Sequence, residues 1–554
     1  MEDGLISPLL RTTSRMGPIL PSHHIPCADS ASHVSHHPVR LASLDIFRGI
    51  SIVAMIVALD VGPEVPWMGV SPWDGLLLGD LVAPFFLFAS GAAVALTFRA
   101  VHSRSAAVHR ILRRACCLFL LGLFLEGGFL HKTGDLSFGI SLTRIRICGT
   151  LQRIAIAYSV AALAQVLLSA AKGCHSEGRT DGRSEGRTEG FSGLLSFSLF
   201  TWQASLVLAA IYLALTFLLF VPDWTFSPPT SSSSSSSPSS TTTSTTFYAL
   251  PPNASHTSFH PESTVAVNAT LQDMMVLCSR SGDLTPACNA AGYIDRLLLT
   301  TNHLLASPPY SHLPVCSSNH SLPSPKPAPT PLLSLPSSDA QSPPAWCSAP
   351  FEPMGLLSTL GATLTALMGL HLGHIITSLQ SHAARMVNTL LLSALLMGAG
   401  FLLQFPFSFS LHHAIPHTNI PEWLAISYPG MPFNAQLYSL SYVLVTAGAA
   451  ALLFSLVYLF VDAAGVRFYT CPFEWMGQNS LFLFLACATP LLSSIAAGLY
   501  WEDPDQNLVS LLRNLLLWAG HDYETAAIVT ACSKVIFWSL VAGLMSWQGF
   551  YWRV

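Results

Sequence analysis

The stretch RLASLDIFRGISIVAMIVALDVGPEVPWMGVSPWDGLLLGDLVAPFFLFASG, residues 40–91, decides the fold class. It holds two apolar runs, each approaching the roughly 20 mostly apolar residues that a bilayer-crossing helix needs. Asp45, Arg48, Asp60 and Asp80 lie in these runs or at their edges. A charge at such depth is costly unless it faces a bundle interior or a wet cavity, so each of the four marks a candidate functional position.

The rest of the chain has the same character. Of 554 residues, 51% are hydrophobic and 10% charged, and the mean hydropathy is +0.50. Soluble domains carry about 25% charged residues, so the expectation is an all-α, polytopic integral membrane protein in contact with membrane lipid. The formal charge of -4 is spread over separate loops and points to no partner. No basic stripe with interleaved aromatics is present, and the reading is of no nucleic-acid partner. Residues 1–42 are polar, with no apolar core of signal-peptide length. They read as a disordered cytosolic tail, with the first helix serving as the insertion signal.

About ten stretches qualify as spans: 43–62, 76–98, 110–130, 147–171, 196–221, 355–378, 385–406, 435–462, 473–499 and 525–549. Most of the 25 Lys and Arg fall in the segments that face the cytosol if the N-terminus does, including Arg99, Arg104, Arg110, Arg113, Arg114, Arg385 and Arg467. The positive-inside bias thereby sets the orientation. The chain divides into the tail, spans one to five (43–221), a lumenal loop (222–354) and spans six to ten (355–554).

That loop carries the glycosylation acceptors Asn253, Asn268 and Asn319, which must lie on the lumenal face to be used. It also holds Cys278, Cys288, Cys316 and Cys347, an even set suited to disulfides in an oxidising compartment, with three pairings open. Residues 226–246 and 307–345 are Ser- and Pro-rich and read as disordered, whereas 271–303 has a foldable apolar pattern. The charged repeat at 173–192 reads as a solvated linker. His371 and His374 share a helix face but lack a third ligand, so no metal site is read.

Several stretches resemble one family in order. SLDIFRG (43–49) is similar to its S-x-D-x-F-R-G, and VSPWDGLLLGDLVAPFFLF (70–88) to its H-S-P-W-N/D-G-L-x-x-A-D-x-V-x-P-F-F-L-F. TRIRICGTLQRIAIAY (143–158), CNAAGYIDR (288–296), WCSAPFEPMGLLSTLGATLTALMGLHLGHII (346–376), FNAQLYSLSYVLVTAGAA (433–450) and EWMGQNSLFLF (474–484) extend the match. The family is the heparan-alpha-glucosaminide N-acetyltransferases, especially the shorter plant-type relatives that lack the lumenal N-terminal domain of the animal enzymes. The resemblance implies an enzyme that moves acetyl from cytosolic acetyl-CoA to the amine of a terminal amino sugar in the lumen of a lysosome, vacuole or other endomembrane, or at the plasma membrane. It also implies a homodimer.

Such chemistry needs cations for the CoA phosphates, a base for the amine proton and a donor for the tetrahedral oxyanion. The resemblance puts Arg48 and Asp45 on the cofactor side. It puts Trp73, Asp74, Gln152, Arg153, Glu352 and Asn479 around the acceptor; the topology, which sets Arg153, Asp80 and Asp60 all toward the lumenal side, lets Arg153 pair with Asp80 or Asp60.

Three positions depart from the family, all toward the lumen. Val70 stands where relatives carry the histidine, Leu59 where they carry Asp or Asn, and Ala435 where they carry lysine. Asp60 or Asp80 is then the available catalytic base, since burial raises a carboxylate's pKa. The alternative is a non-catalytic descendant that binds or transports a small molecule through the same cavity.

Overall fold

The computed structural model describes residues 41–98, 103–125, 129–130, 138–139, 145–176, 188–226, 274–278, 281–305, 308–316, 344–409, 426–428, 430–488, 499–500, 507 and 510–552. The tail, the three glycosylation acceptors and most of the Ser/Pro-rich loop fall outside them. The helices are α1 (Ala42–Asp60), α2 (Val82–Thr97), α3 (Arg104–Leu125), α4 (Thr150–Ser176), α5 (Thr188–Leu218), α6 (Ala290–Leu299), α7 (Leu356–Ser378), α8 (His382–Gln404), α9 (Leu440–Tyr458), α10 (Cys471–Gln478), α11 (Ser480–Ala488), α12 (Leu511–Trp518) and α13 (Tyr523–Trp547). Three short antiparallel pairs, β1 (Phe129–Leu130) with β2 (Phe138–Gly139), β3 (Trp224–Phe226) with β4 (Met274–Val276) and β5 (Phe407–Phe409) with β6 (Ile426–Tyr428), decorate the connections.

The fold is all-α and polytopic. Among the described residues, eight helical segments are long and apolar enough to cross a membrane. Two expected spans differ. In α3, Arg104, Arg110, Arg113 and Arg114 occupy one end, which lowers its apolarity. The stretch at 473–499 breaks at Asn479, where φ -110° and ψ 28° leave the helical region and separate α10 from α11, and residues 489–498 lie outside the described residues. The linker read at 173–192 is also shorter than expected, because α4 runs on to Ser176 and α5 begins at Thr188. Extending an existing helix adds a hydrogen bond per residue without a new nucleus, so a polar sequence is recruited by its apolar neighbour.

Helix α7 is the hub, with 83% of its span buried, whereas α5, α8 and α13 are mostly open to the surroundings. The tightest seam joins α7 to α2. A Cβ at Gly369 would lie 2.0 Å from the Phe88 carbonyl oxygen, and one at Gly91 1.9 Å from that of Ala366. Without a hydrophobic drive between helices in lipid, such close backbone approach supplies the packing. One core joins Leu87, Val94, Ile111, Tyr158, Leu367, Tyr438 and Tyr442; another joins Phe47, Phe85, Phe88, Leu372, Phe454 and Tyr458.

The connection between α5 and α7 builds a cap over one end of the bundle. Cys278 pairs with Cys288 and Cys316 with Cys347, which selects one of the three open pairings. Asn289 caps α6 by accepting from the Gly292 amide at 2.7 Å. Trp73, Tyr310, Phe351 and Trp346 then stack edge to face, Trp73 lying 5.5 Å from Phe351 and 5.7 Å from Tyr310 between ring centroids. The cap and the α1–α2 connection therefore share one aromatic core.

Candidate functional site

A buried polar cluster forms where α4, α7 and α9 begin, under the cap. Arg153, one turn into α4, is 3% exposed. Its Nη2 donates to the Pro353 carbonyl at 2.5 Å and to Ser358 Oγ at 2.7 Å, and its guanidinium lies 4.9 Å over the Tyr438 ring. Tyr438 precedes α9 with φ +54°, a left-handed backbone that a bulky residue adopts only when its surroundings hold it there. Its ring meets Tyr442 edge to face at 5.1 Å, and the Tyr442 hydroxyl donates to the Asp80 backbone carbonyl. Arg153 and Asp80 are thus joined through two tyrosines rather than by an ion pair.

The expected pairing of Arg153 with Asp80 or Asp60 is corrected accordingly. Asp80 instead anchors its own loop: Oδ1 and Oδ2 accept from the Ser71 amide at 3.3 and 3.2 Å, and Oδ2 from the Leu77 amide at 2.9 Å. A carboxylate so close to its own loop's amides is satisfied without an arginine. Asp60 takes Lys534 Nζ at 2.7 Å, so this carboxylate is paired within the bundle.

Around this core the remaining candidates fall into distinct roles. Glu352 is fully enclosed and accepts Arg146 Nε at 2.8 Å and Nη2 at 2.6 Å, a fork that ties the start of α4 to the start of α7. Trp73 is enclosed as well, its indole donating to the Leu284 carbonyl at 3.1 Å. Asp74 is exposed and its Oδ1 accepts from Asn434 Nδ2 at 3.1 Å. Partial burial raises its pKa, and the Asn434 hydrogen bond offsets part of that rise. Gln436 Nε2 donates to the Ser71 carbonyl at 3.0 Å, so the segment before α9 braces the loop that carries Val70 and Asp74.

Polar atoms without partners distinguish the site. Among the described residues, both side-chain amide atoms of Gln152 and Arg153 Nε are buried and make no hydrogen bond, and away from this cluster the same holds for both amide atoms of Asn479. Native interiors satisfy the great majority of such groups, and the exceptions call for a ligand, a water or a functional reason. Gln152 faces α3 at Gly122, where a Cβ would lie 2.5 Å from its Oε1. Asn479 sits at the α10–α11 break with its side chain fully enclosed, two residues from Gly477, which packs on the Asp45 carbonyl; the expected place around the acceptor is corrected, because this break lies at the Arg48 end of α1.

Two groups are not brought together. Arg48 and Asp45 pair with each other at 3.2 Å near the opposite end of α1. Fifteen residues separate Asp45 from Asp60, which is about 22 Å along a helix. The departures do not converge either: Leu59 and Val70 are 51% and 55% exposed, whereas Ala435 packs partly buried beside Tyr438 and Tyr442. His371 and His374 are buried, His374 meeting Gln165 at 2.8 Å and His371 lying against Trp202.

Sequence reasoning missed Tyr438, Tyr442, Asn434, Arg146 and Asp295. The first three lie in FNAQLYSLSY, where two tyrosines four apart at a helix start carry a usable signal. Asp295 reaches from α6 to the first amide of α7, Leu356 N to Oδ1 at 2.9 Å, and its Oδ2 is buried without a partner. Burial pushes its carboxyl up to about 7, with Glu352 adding to the rise and Arg153 and Arg296 opposing it. Arg296, stacked 3.7 Å over Trp224, is lowered by burial to about 10.

No model of a known protein family matches the chain. It is 24% identical over 452 residues to heparan-alpha-glucosaminide N-acetyltransferase of Homo sapiens, covering 81% of this chain and 52% of that protein. It is 23% identical over 489 residues to the Mus musculus protein of that name, covering 87% and 58%. The chain is a distant, acetyltransferase-like relative of these membrane proteins and spans little more than half their length.

Proposed function

We propose that this relative is a membrane-bound acyltransferase. In this reading it takes an acetyl group from acetyl-CoA on the cytosolic side and passes it to the amine of an amino-sugar-type acceptor on the lumenal side. The observation that carries the reading is the cluster around Arg153. A buried cation, two packed tyrosines and unpartnered Gln152 and Arg153 atoms occupy the stretches that resemble the enzyme family. These groups suit a polar acyl or sugar ligand because they lack partners among the described residues.

In the transfer, the acceptor nitrogen attacks the acetyl carbonyl and the carbon–sulfur bond of the thioester breaks. The amine proton passes to a base and is returned to the sulfur, so that CoA departs as the thiol. Arg153 is the donor for the oxyanion, since charge-assisted donors in a dry site are worth far more than in water. Asp60 and Asp80 are committed to Lys534 and to loop amides, so Asp74 is the carboxylate that takes the proton. It is exposed, oriented by Asn434 and four residues from Val70. A base of this kind contributes a hundredfold or more to rate, and exchanging the family histidine for a carboxylate slows the reaction. Arg48 and Asp45 serve the nucleotide end, with Asn479 close to them, and Gln152, Glu352 and Trp73 shape the acceptor end.

The second reading, a non-catalytic binder or transporter on the same scaffold, draws on the exposed apolar Val70 and Leu59 at the loop that would need a base. The division into tail, two helix groups and lumenal cap, the use of Asn253, Asn268 and Asn319 for glycans, a homodimer, and residence in a lysosome, vacuole or plasma membrane belong to the proposal. The test is acetyl transfer to glucosamine by detergent-purified protein, alongside CoA binding. Transfer supports the first reading. CoA binding without transfer, unchanged in Val70→His, supports the second.

A further inference from the structure

We propose that Asp295 is a proton-operated latch that fastens the cap onto the turn holding Arg153, so that the Arg153 cluster is assembled when the cap side is acid and loosened when it is neutral. Control of acetyl transfer by the latch rests on the function proposed above, whereas the latch itself is a property of the fold.

Residues 352–358 form one hydrogen-bonded turn at the start of α7. The Met354 amide donates to Glu352 Oε1 at 3.1 Å, and Ser358 Oγ donates to the Gly355 carbonyl at 2.9 Å. Two side chains from other elements hold this turn. Arg153 of α4 donates to the Pro353 carbonyl and to Ser358 Oγ. Asp295 of α6 accepts the Leu356 amide through Oδ1. Gly355 and Leu356, the two residues that Asp295 meets, lie between the two acceptors of Arg153. A shift of α6 is therefore passed directly to the groups that fix the guanidinium.

The other carboxyl oxygen makes the contact proton-dependent. Asp295 is 1% exposed, its Oδ2 has no hydrogen-bond partner, and a Cβ at Gly355 would collide with that atom. An ionised carboxylate sealed in with a single amide donor is costly, and the neutral acid is far less so. The charged groups that face it are Glu352, which favours the proton, and Arg153 and Arg296, which oppose it. Cys148, before α4, is held as the neutral thiol by its own burial. Burial of Asp295 outweighs both arginines and holds its carboxyl up at about 7. A cap lifted into water returns the carboxyl to the ordinary value of 3.8. The docked cap thus binds the extra proton, and rising pH drives release.

Hydrogen exchange of detergent-purified full-length protein reads the latch without substrate, since local opening sets the protection of each segment. Protection factors over 281–303 and 350–360 are compared at pH 5 and pH 8, with the intrinsic pH dependence of exchange divided out. The two carboxyl values predict opening that rises at most about a hundredfold over this range. Asp295→Asn cannot titrate and is expected to show protection independent of pH. Gly355→Ala puts a methyl group where Oδ2 lies and is expected to show low protection at both pH values. Residues 361–376 of α7 stay protected throughout. Both variants retain His303 and His312, so titration of those cap histidines does not reproduce the pattern. Wild-type protection that is constant with pH overturns the proposal, as does a pH dependence that survives in Asp295→Asn. If Asp295→Asn also loses protection over 361–376, Gly355→Ala decides, and a pH response there as large as in the wild type overturns the proposal. The expected pattern in protein that transfers no acetyl group upholds the latch and overturns the proposed reaction alone.

Discussion

Replacing Arg153 by methionine separates a functional cation from a structural one. The change removes two charge-assisted hydrogen bonds, to Pro353 and Ser358, worth about 1.5–3 kcal/mol each. It also removes the contact with the Tyr438 ring, worth up to about 2 kcal/mol when desolvated. Against this stand the relief of a buried ion, several kcal/mol, and of the unpartnered Nε, about 1–3 kcal/mol. The acceptors are not orphaned, because Ser358 Oγ already donates to the Pro353 carbonyl at 3.0 Å. The net change in stability is about 2 kcal/mol or less in either direction. Arg153→Lys keeps the buried charge but loses the planar fork, so it is less stable than the methionine variant. Activity behaves oppositely: loss of an oxyanion donor costs about a hundred- to a thousandfold in rate. Thermal unfolding in detergent and an acetyl-transfer assay read the two effects. A methionine variant destabilised by more than about 3 kcal/mol, or less stable than the lysine variant, would refute the reasoning and make Arg153 a packing residue.

Three further outcomes follow from the cap. Asp295 has its folded pKa raised to about 7 from 3.8, so the folded state binds the extra proton. Stability is therefore greatest below pH 4 and is lost as pH rises toward 7, by at most about 4 kcal/mol; unfolding midpoints at pH 5 and 7.5 should converge in Asp295→Asn. Glu352→Gln breaks the Arg146 fork and costs about 2 kcal/mol, below the usual buried-pair loss because Arg146 is partly exposed; faster hydrogen exchange at 344–356 is the check. Reducing the disulfides, with sequence separations of 10 and 31, destabilises the cap by about 2.7 and 3.7 kcal/mol on the chain-entropy model, measurable as protease sensitivity within 281–316.

The membrane class was legible because apolar run length is a one-dimensional property, and α1, α2, α7 and α9 fall close to where composition puts them. The limits were local. Four arginines in α3 and the break at Asn479 interrupt runs that average composition passes as spans. Individual charges such as Asp60 and Asp80 could be singled out by their cost in an apolar setting, and Arg153 and Glu352 by the resemblance. Their partners could not, because Arg146 and Glu352 are brought together across 206 residues by tertiary packing. The orphaned Gln152 amide is equally a property of the packed state, since it depends on the approach of Gly122 on α3.

The most direct test uses proteoliposomes with labelled acetyl-CoA supplied to the face that carries Arg48 and glucosamine trapped on the face that carries Asp74. The account predicts labelled N-acetylglucosamine inside, absent with Arg153→Met, lowered with Asp74→Asn and raised with Val70→His. Vesicles that form no product with either the wild type or Val70→His, and bind no CoA, would contradict it.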